Sequence, residues 1–129
     1  MIEVKGIHHI AIICSNFTVS KRFYTEVLGF VVHAEYFREK RNSYKLDLKL
    51  GDRYWIELFS FPEPPPRTSR PEACGLRHLA YEVINLDKSI SWLNKNGVTT
   101  EPIRVDEYTA KRVTFFADPD DLPLELYET

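Results

Sequence analysis

The sequence predicts an α+β fold assembled from two tandem βαβββ modules, and three observations carry that prediction. An apolar, β-branched run near the start, Gly6-Ile7-His8-His9-Ile10-Ala11-Ile12-Ile13-Cys14, returns as Gly75-Leu76-Arg77-His78-Leu79-Ala80-Tyr81-Glu82-Val83, with Gly on Gly, His78 on His9 and Ala80 on Ala11. Each copy then ends in a strand-like run with one Glu between two aliphatic residues, Trp55-Ile56-Glu57-Leu58-Phe59 and Pro123-Leu124-Glu125-Leu126-Tyr127. The spacings also agree: Glu57 follows His9 by 48 residues (57 − 9) and Glu125 follows His78 by 47 (125 − 78).

The elements follow in order. The run Gly6–Cys14 has the β-branched composition of a strand. Alternation places Ile7, His9, Ala11 and Ile13 on one face and His8, Ile10 and Ile12 on the other. Ser15-Asn16 offers a helix N-cap. The helix runs from Phe17 to Leu28 with Phe17, Val19, Phe23, Val27 and Leu28 as its apolar stripe, and Gly29 ends it. Strands follow at Phe30–Ala34, at Tyr44–Leu50 with clear apolar and polar alternation, and, after the Gly51-Asp52 turn, at Tyr54–Phe61. The first module spans about residues 5–61.

Prolines at 62, 64, 65, 66 and 71 mark 62–73 as a linker, because proline cannot donate to a sheet ladder and fixes its own φ. The second module, about 74–129, repeats the order. A strand at Leu76–Val83 precedes the Asn85 cap and a helix at Leu86–Asn96 that Gly97 stops. Strands follow at Val98–Ile103, Lys111–Ala117 and Leu122–Glu128, the last after an Asp118-Pro119-Asp120-Asp121 turn. Residues 1–129 thus read as a single domain of two fused units.

Composition excludes several function classes. A formal net charge of −2 supplies no basic surface for nucleic acid. No apolar run approaches the roughly 20 residues of a membrane span. The N-terminus lacks the regions of a secretory signal, and Cys14 and Cys74 form neither a CxxC motif nor a disulfide framework, so the expectation is a cytoplasmic protein with reduced thiols.

The repeated His and Glu carry the chemistry. If Ile56 and Leu58 face the helix, Glu57 faces the other side together with Trp55 and Phe59, where an unpaired carboxylate would be costly. A divalent cation removes that cost. Imidazole with carboxylate suits Ni, Co, Zn, Mn or Fe, so His9, Glu57, His78 and Glu125 are the candidate metal ligands. Four protein ligands in a six-coordinate sphere leave two positions for substrate or water. Trp55 is the candidate pocket wall, and Lys111 and Arg112, near the last two strands, are candidates to meet an anionic substrate.

With these residues in place, the chain resembles the vicinal oxygen chelate (VOC) superfamily, the glyoxalase I, extradiol dioxygenase and fosfomycin-resistance group. The resemblance runs from Gly6 to Glu128. It rests on the His-His-Ile-Ala-Ile run, the helix end Phe23-Tyr24-Thr25-Glu26-Val27-Leu28-Gly29-Phe30, Ile56-Glu57-Leu58, Arg77-His78-Leu79-Ala80, and Asp118-Pro119-Asp120 leading to Leu124-Glu125-Leu126. It implies curled mixed sheets forming a cup around one divalent metal, two ligands from each module, and a homodimer binding a small molecule. The full His-Glu-His-Glu set is the glyoxalase I (lactoylglutathione lyase) pattern. It implies a lyase or isomerase that acts through a metal-stabilised enediolate on a small oxo-acid or oxoaldehyde, with Glu125 or Glu57 as the base. The Arg and Asn that hold glutathione in that pattern are Ile13 and Phe61 here, and the usual Gly after Asp-Pro-Asp is Asp121, so the glutathione anchors are missing. The alternatives are a three-ligand dioxygenase or thiol transferase, and a resistance-type module that binds a drug without chemistry.

Overall fold

The computed structural model describes residues 1–129. The chain divides into two compact units within the proline-rich segment, Met1–Pro65 and Pro66–Thr129. Each unit holds one four-stranded mixed sheet, as the βαβββ repeat predicts.

In the first unit the strands are β1 (Ile10–Cys14), β2 (Val31–Arg38), β3 (Ser43–Leu50) and β4 (Arg53–Ser60), in sheet order β1-β4-β3-β2. β1 runs parallel to β4, and β2, β3 and β4 form an antiparallel meander. A parallel pair needs a crossover, supplied here by α1 (Phe17–Arg22) and the chain after it. Asn16 caps α1, its side chain accepting from Val19 N at 3.1 Å. The expected helix continues to Val27 only by loosening into a π turn, Phe23–Val27, where Leu28 N bonds Phe23 O at 3.1 Å. Gly29, at φ +81°, then leaves the helix through the left-handed region.

The second unit repeats this plan with β5 (Leu79–Val83), α2 (Leu86–Lys95), β6 (Arg104–Val105), β7 (Arg112–Ala117) and β8 (Pro123–Glu128), in order β5-β8-β7-β6. β5 is parallel to β8. Asn85 caps α2 as Asn16 caps α1, accepting from Lys88 N at 2.9 Å.

Three boundaries differ from the sequence reading. β2 extends to Arg38 because it is a sheet edge, where charged residues such as Glu35 are tolerated and hide the strand pattern. β6 shrinks to two residues and lies beyond Val98–Ile103, a segment that contains Pro102 and cannot sustain a ladder. β1 and β5 begin after their histidines, at Ile10 and Leu79, so His9 and His78 each sit one residue ahead of a parallel strand.

The core of unit one is Ile12, Cys14, Phe23, Tyr24, Phe30, Leu46, Leu48, Ile56 and Leu58; unit two uses Leu86, Leu93, Val113, Phe116, Leu124 and Leu126. No helix is long and apolar enough to cross a membrane.

Candidate functional site: two His–Glu pairs

Register builds the first pair. Ala11 of β1 lies opposite Glu57 of β4, and His9 sits two residues before Ala11 on the same side. His9 Nε2 comes to 2.6 Å from Glu57 Oε2. Ile56 and Leu58 fill the core on one face of β4, and Glu57, only 7% exposed, is buried on the other.

The second pair repeats the design. Ala80 of β5 lies opposite Glu125 of β8, and His78 precedes Ala80 by two. His78 Nε2 is 3.0 Å from Glu125 Oε2, and Glu125 is 9% exposed. The structure therefore joins His9 to Glu57 and His78 to Glu125, as pairs. No group of three or more His, Cys, Asp or Glu side chains is gathered at one point.

The two carboxylates differ in what faces them. Opposite Glu57 on β3 is Asp47, itself buried, and Lys45 reaches both: Nζ is 2.5 Å from Asp47 Oδ1 and 2.9 Å from Glu57 Oε1. Tyr54 also hydrogen-bonds Glu57. Burial pushes the Glu57 carboxyl up, but the Lys45 and Tyr54 hydrogen bonds and the charges of Lys45 and His9 outweigh it and hold Glu57 below the usual carboxylate range. Burial, the bond to Glu57 and the negative charges of Asp47 and Glu57 push the Tyr54 phenol up to about 12. The residue opposite Glu125 is Phe115, and no lysine reaches Glu125. Phe115 instead presents an edge contact to the His78 ring at 5.2 Å.

Tyr54 was not among the residues singled out from the sequence. Strict alternation puts Trp55 on the face of Glu57, but β4 bulges: Ile56 pairs with Leu48 while Tyr54 pairs with Lys49. The extra residue breaks the period of two and brings Tyr54 to the site, its ring stacked 5.8 Å from His9. Trp55 is half-buried under the Arg53 guanidinium, 4.0 Å from its ring centroid. A register shift between Leu48 and Lys49 has no signature in single residues, so only the folded sheet reveals it.

Lys111 is exposed at the start of the β7 hairpin, where its carbonyl accepts from Asp106 N at 2.8 Å. Arg112 makes a two-pronged contact with Asp87 in the first turn of α2, at 3.1 and 3.0 Å, and lies 3.6 Å from Glu128. Its guanidinium ties α2 to the sheet.

The donor chemistry fits a divalent metal. Each pair presents one imidazole nitrogen and one carboxylate oxygen in close contact, donor types that suit a divalent cation, and His8 Nδ1 lies 2.8 Å from His9 Nδ1.

Known proteins share this architecture and sequence. The chain is 62% identical over 125 residues to the uncharacterized Bacillus subtilis (strain 168) protein YwkD, covering 97% of this chain and 98% of that one. It is 58% identical over 128 residues to the uncharacterized Escherichia coli (strain K12) protein YaeR, covering 99% of each. Among solved structures, the glyoxalase family protein from Enterococcus faecalis is 52% identical, with a TM-score of 0.89 over 96% of this chain and 98% of that one. The sequence model of one family matches residues 6–126, nearly the whole repeat, and the chain belongs to that family: the Glyoxalase/Bleomycin resistance protein/Dioxygenase superfamily.

Proposed function

We propose that the chain is a divalent-metal-dependent lyase or isomerase of glyoxalase I type, acting on a small oxo-acid or oxoaldehyde. His9, Glu57, His78 and Glu125 would hold the metal, the second pair coming from the same chain or from a partner chain in a homodimer. When bound, the metal supplies Lewis-acid stabilisation for charge developing on two neighbouring substrate oxygens.

The unequal environment of the two carboxylates carries the assignment of roles. Glu57 is held by His9, Lys45 and Tyr54 and kept ionised, which suits a fixed ligand. Glu125 has the one close partner, His78, in a setting walled by Phe115, and so is the carboxylate suited to leave its contact and take a proton beside a carbonyl. Ile13 and Phe61 offer no charged anchor for glutathione, which favours a smaller substrate.

The test is metal content per chain on untagged protein, together with proton exchange beside the carbonyl in a panel of α-oxoaldehydes and epimerisable acids. About one Ni, Co, Zn, Mn or Fe per chain with exchange that Glu125→Gln abolishes supports the reading. No metal even after divalent ions are supplied overturns it.

The Lys45–Glu57 ion pair favours a second reading. A carboxylate already neutralised by an ammonium needs no metal, which leaves His9, His78 and Glu125 as a three-ligand set of dioxygenase or thiol-transferase type. Metal retained in Glu57→Gln, with oxygen consumption when iron is supplied, selects this reading.

A further inference from the structure

The proline-rich segment does more than connect the two units. Its second half, with residues of β7 and the chain around it, lines a cavity of about 280 Å³ in the second unit. Four arginines line that cavity, Arg67, Arg70, Arg77 and Arg104, with His78 and Phe115 on the same lining. A connecting arm needs no guanidinium groups, and here two of the four come from it.

The segment is also pinned. Ser69, buried, donates from Oγ to the Asp121 carbonyl at 2.7 Å, and Arg67 Nε donates to Ser69 Oγ at 3.0 Å. Arg67 Nη2 donates to the carbonyl of Leu76 as well. These bonds fix the planar group of Arg67 without neutralising it, because carbonyl and hydroxyl oxygens carry no formal charge.

The remaining charges, the carboxylates of Glu72, Glu101 and Asp121 on the same lining, decide what the cavity takes. Glu72 lies 2.8 Å from Arg77, and Glu101 lies 2.5 Å from Arg104 and 3.9 Å from Arg70. Arg67 has no carboxylate partner, and two arginines share the single Glu101. Arg77 Nη1 lies 3.2 Å from His78 Nδ1, so the positive end of the cavity abuts a candidate metal ligand. Arg104 stacks over Phe115, 5.3 Å from its centroid, so its guanidinium lies against the aromatic wall of the cavity.

We infer that this cavity is an anion subsite that holds a carboxylate or phosphoryl group of a small substrate, with Arg67 as its principal anchor and the rest of the substrate directed toward His78. This rests on the proposed function for the direction of the substrate, whereas the anion site itself stands without it. Guanidinium groups match planar and tetrahedral oxyanions by paired donation. A cavity of this size takes a metabolite-sized group rather than a macromolecule.

The experiment uses the full chain stripped of metal, so that its result is independent of catalysis. Sodium acetate and inorganic phosphate are titrated separately at constant ionic strength, with amide and arginine side-chain NMR shifts as the readout. Saturable shifts at Arg67, Arg104 and Phe115 are expected, weakened at least tenfold in Arg67→Met and partly restored in Arg67→Lys. Tighter acetate binding identifies a carboxylate substrate, and tighter phosphate binding a phosphoryl one. Arg104→Gln, which leaves the Arg67 contacts with Ser69 and Leu76 in place, serves as a second variant should Arg67→Met fail to fold. Shifts that never saturate, or equal binding in the wild type and both folded variants, overturn the inference. Metal content measured on the same variants separates the two readings: anion binding lost with metal retained confirms the subsite, and anion binding intact with no metal bound overturns the proposed function alone.

Discussion

Lys45 Nζ lies 2.9 Å from Glu57 Oε1 and 2.5 Å from Asp47 Oδ1, so one ammonium joins two buried carboxylates that face each other across β3 and β4. The position opposite Glu125 holds Phe115. Two copies of one supersecondary unit have thus kept the His–Glu pair and diverged in what surrounds its carboxylate. Glu57 has three partners, His9, Lys45 and Tyr54, whereas the ion-pair partner of Glu125 is His78.

Glu57→Gln and Glu125→Gln are therefore expected to fail differently. Glu57→Gln lowers metal per chain, whereas Glu125→Gln slows proton exchange beside the carbonyl by about 10²–10⁴-fold, the usual worth of a general base. Far-UV circular dichroism of both variants checks that the fold persists. Equal exchange rates in wild type and Glu125→Gln would remove Glu125 as the base.

Replacing Lys45 by Met tests the ion pair directly. Asp47 and Glu57 lose their shared cation while remaining buried, at a cost of about 1–3 kcal/mol in metal-free protein, read by denaturant unfolding at neutral pH. The sign with pH follows from the lowered pKa of Glu57. Its contribution is present above the ordinary carboxylate value and is lost as pH falls through the lower, folded value. The gap between wild type and Lys45→Met should therefore close below about pH 4. A gap that widens on acidification would contradict the pairing.

The bulge in β4 makes opposite forecasts for adjacent aromatics. Tyr54→Phe removes a hydrogen bond to Glu57 and is expected to weaken metal binding about tenfold, the lower end for a group that orients a ligand. Trp55→Phe should leave metal affinity unchanged, since the ring contact of Trp55 is with Arg53. Titration of a divalent ion into each variant, followed by calorimetry, distinguishes them.

Asp121 adopts φ +65° in the turn before β8. A left-handed backbone strains any residue with a Cβ, and glycine relieves that strain at a gain of about 1 kcal/mol. Asp121→Gly should raise the thermal midpoint by a few degrees, provided the Ser69 bond to its carbonyl, a backbone contact, is kept. An unchanged or lower midpoint would show that the aspartate side chain stabilises the turn by as much as its backbone strain costs.

Much of this protein was legible in the sequence because its signals are local and repeated. The βαβββ order, the Asn16 and Asn85 caps and the Gly29 and Gly97 helix stops all depend on near neighbours in the chain. The His and Glu positions were legible as well, because one unit occurs twice and matching spacing exposes residues that a single copy would hide. The pairing of each His with its own Glu is consistent with that reading and is set by parallel register.

What tertiary structure alone decided lies between strands. The Lys45–Asp47–Glu57 cluster depends on which residue of β3 stands opposite Glu57. Tyr54 reaches Glu57 because of one extra residue in a ladder, and Arg112 meets Asp87 because β7 passes the start of α2. The arginine-lined cavity appears only when a segment that reads as a connector folds against β7 and Asp121. The physical reason is common to all four. Side-chain chemistry and periodicity are properties of a stretch of chain, whereas register, bulges and through-space charge partners are properties of two stretches brought together, and single-chain pattern carries no record of which residues will meet.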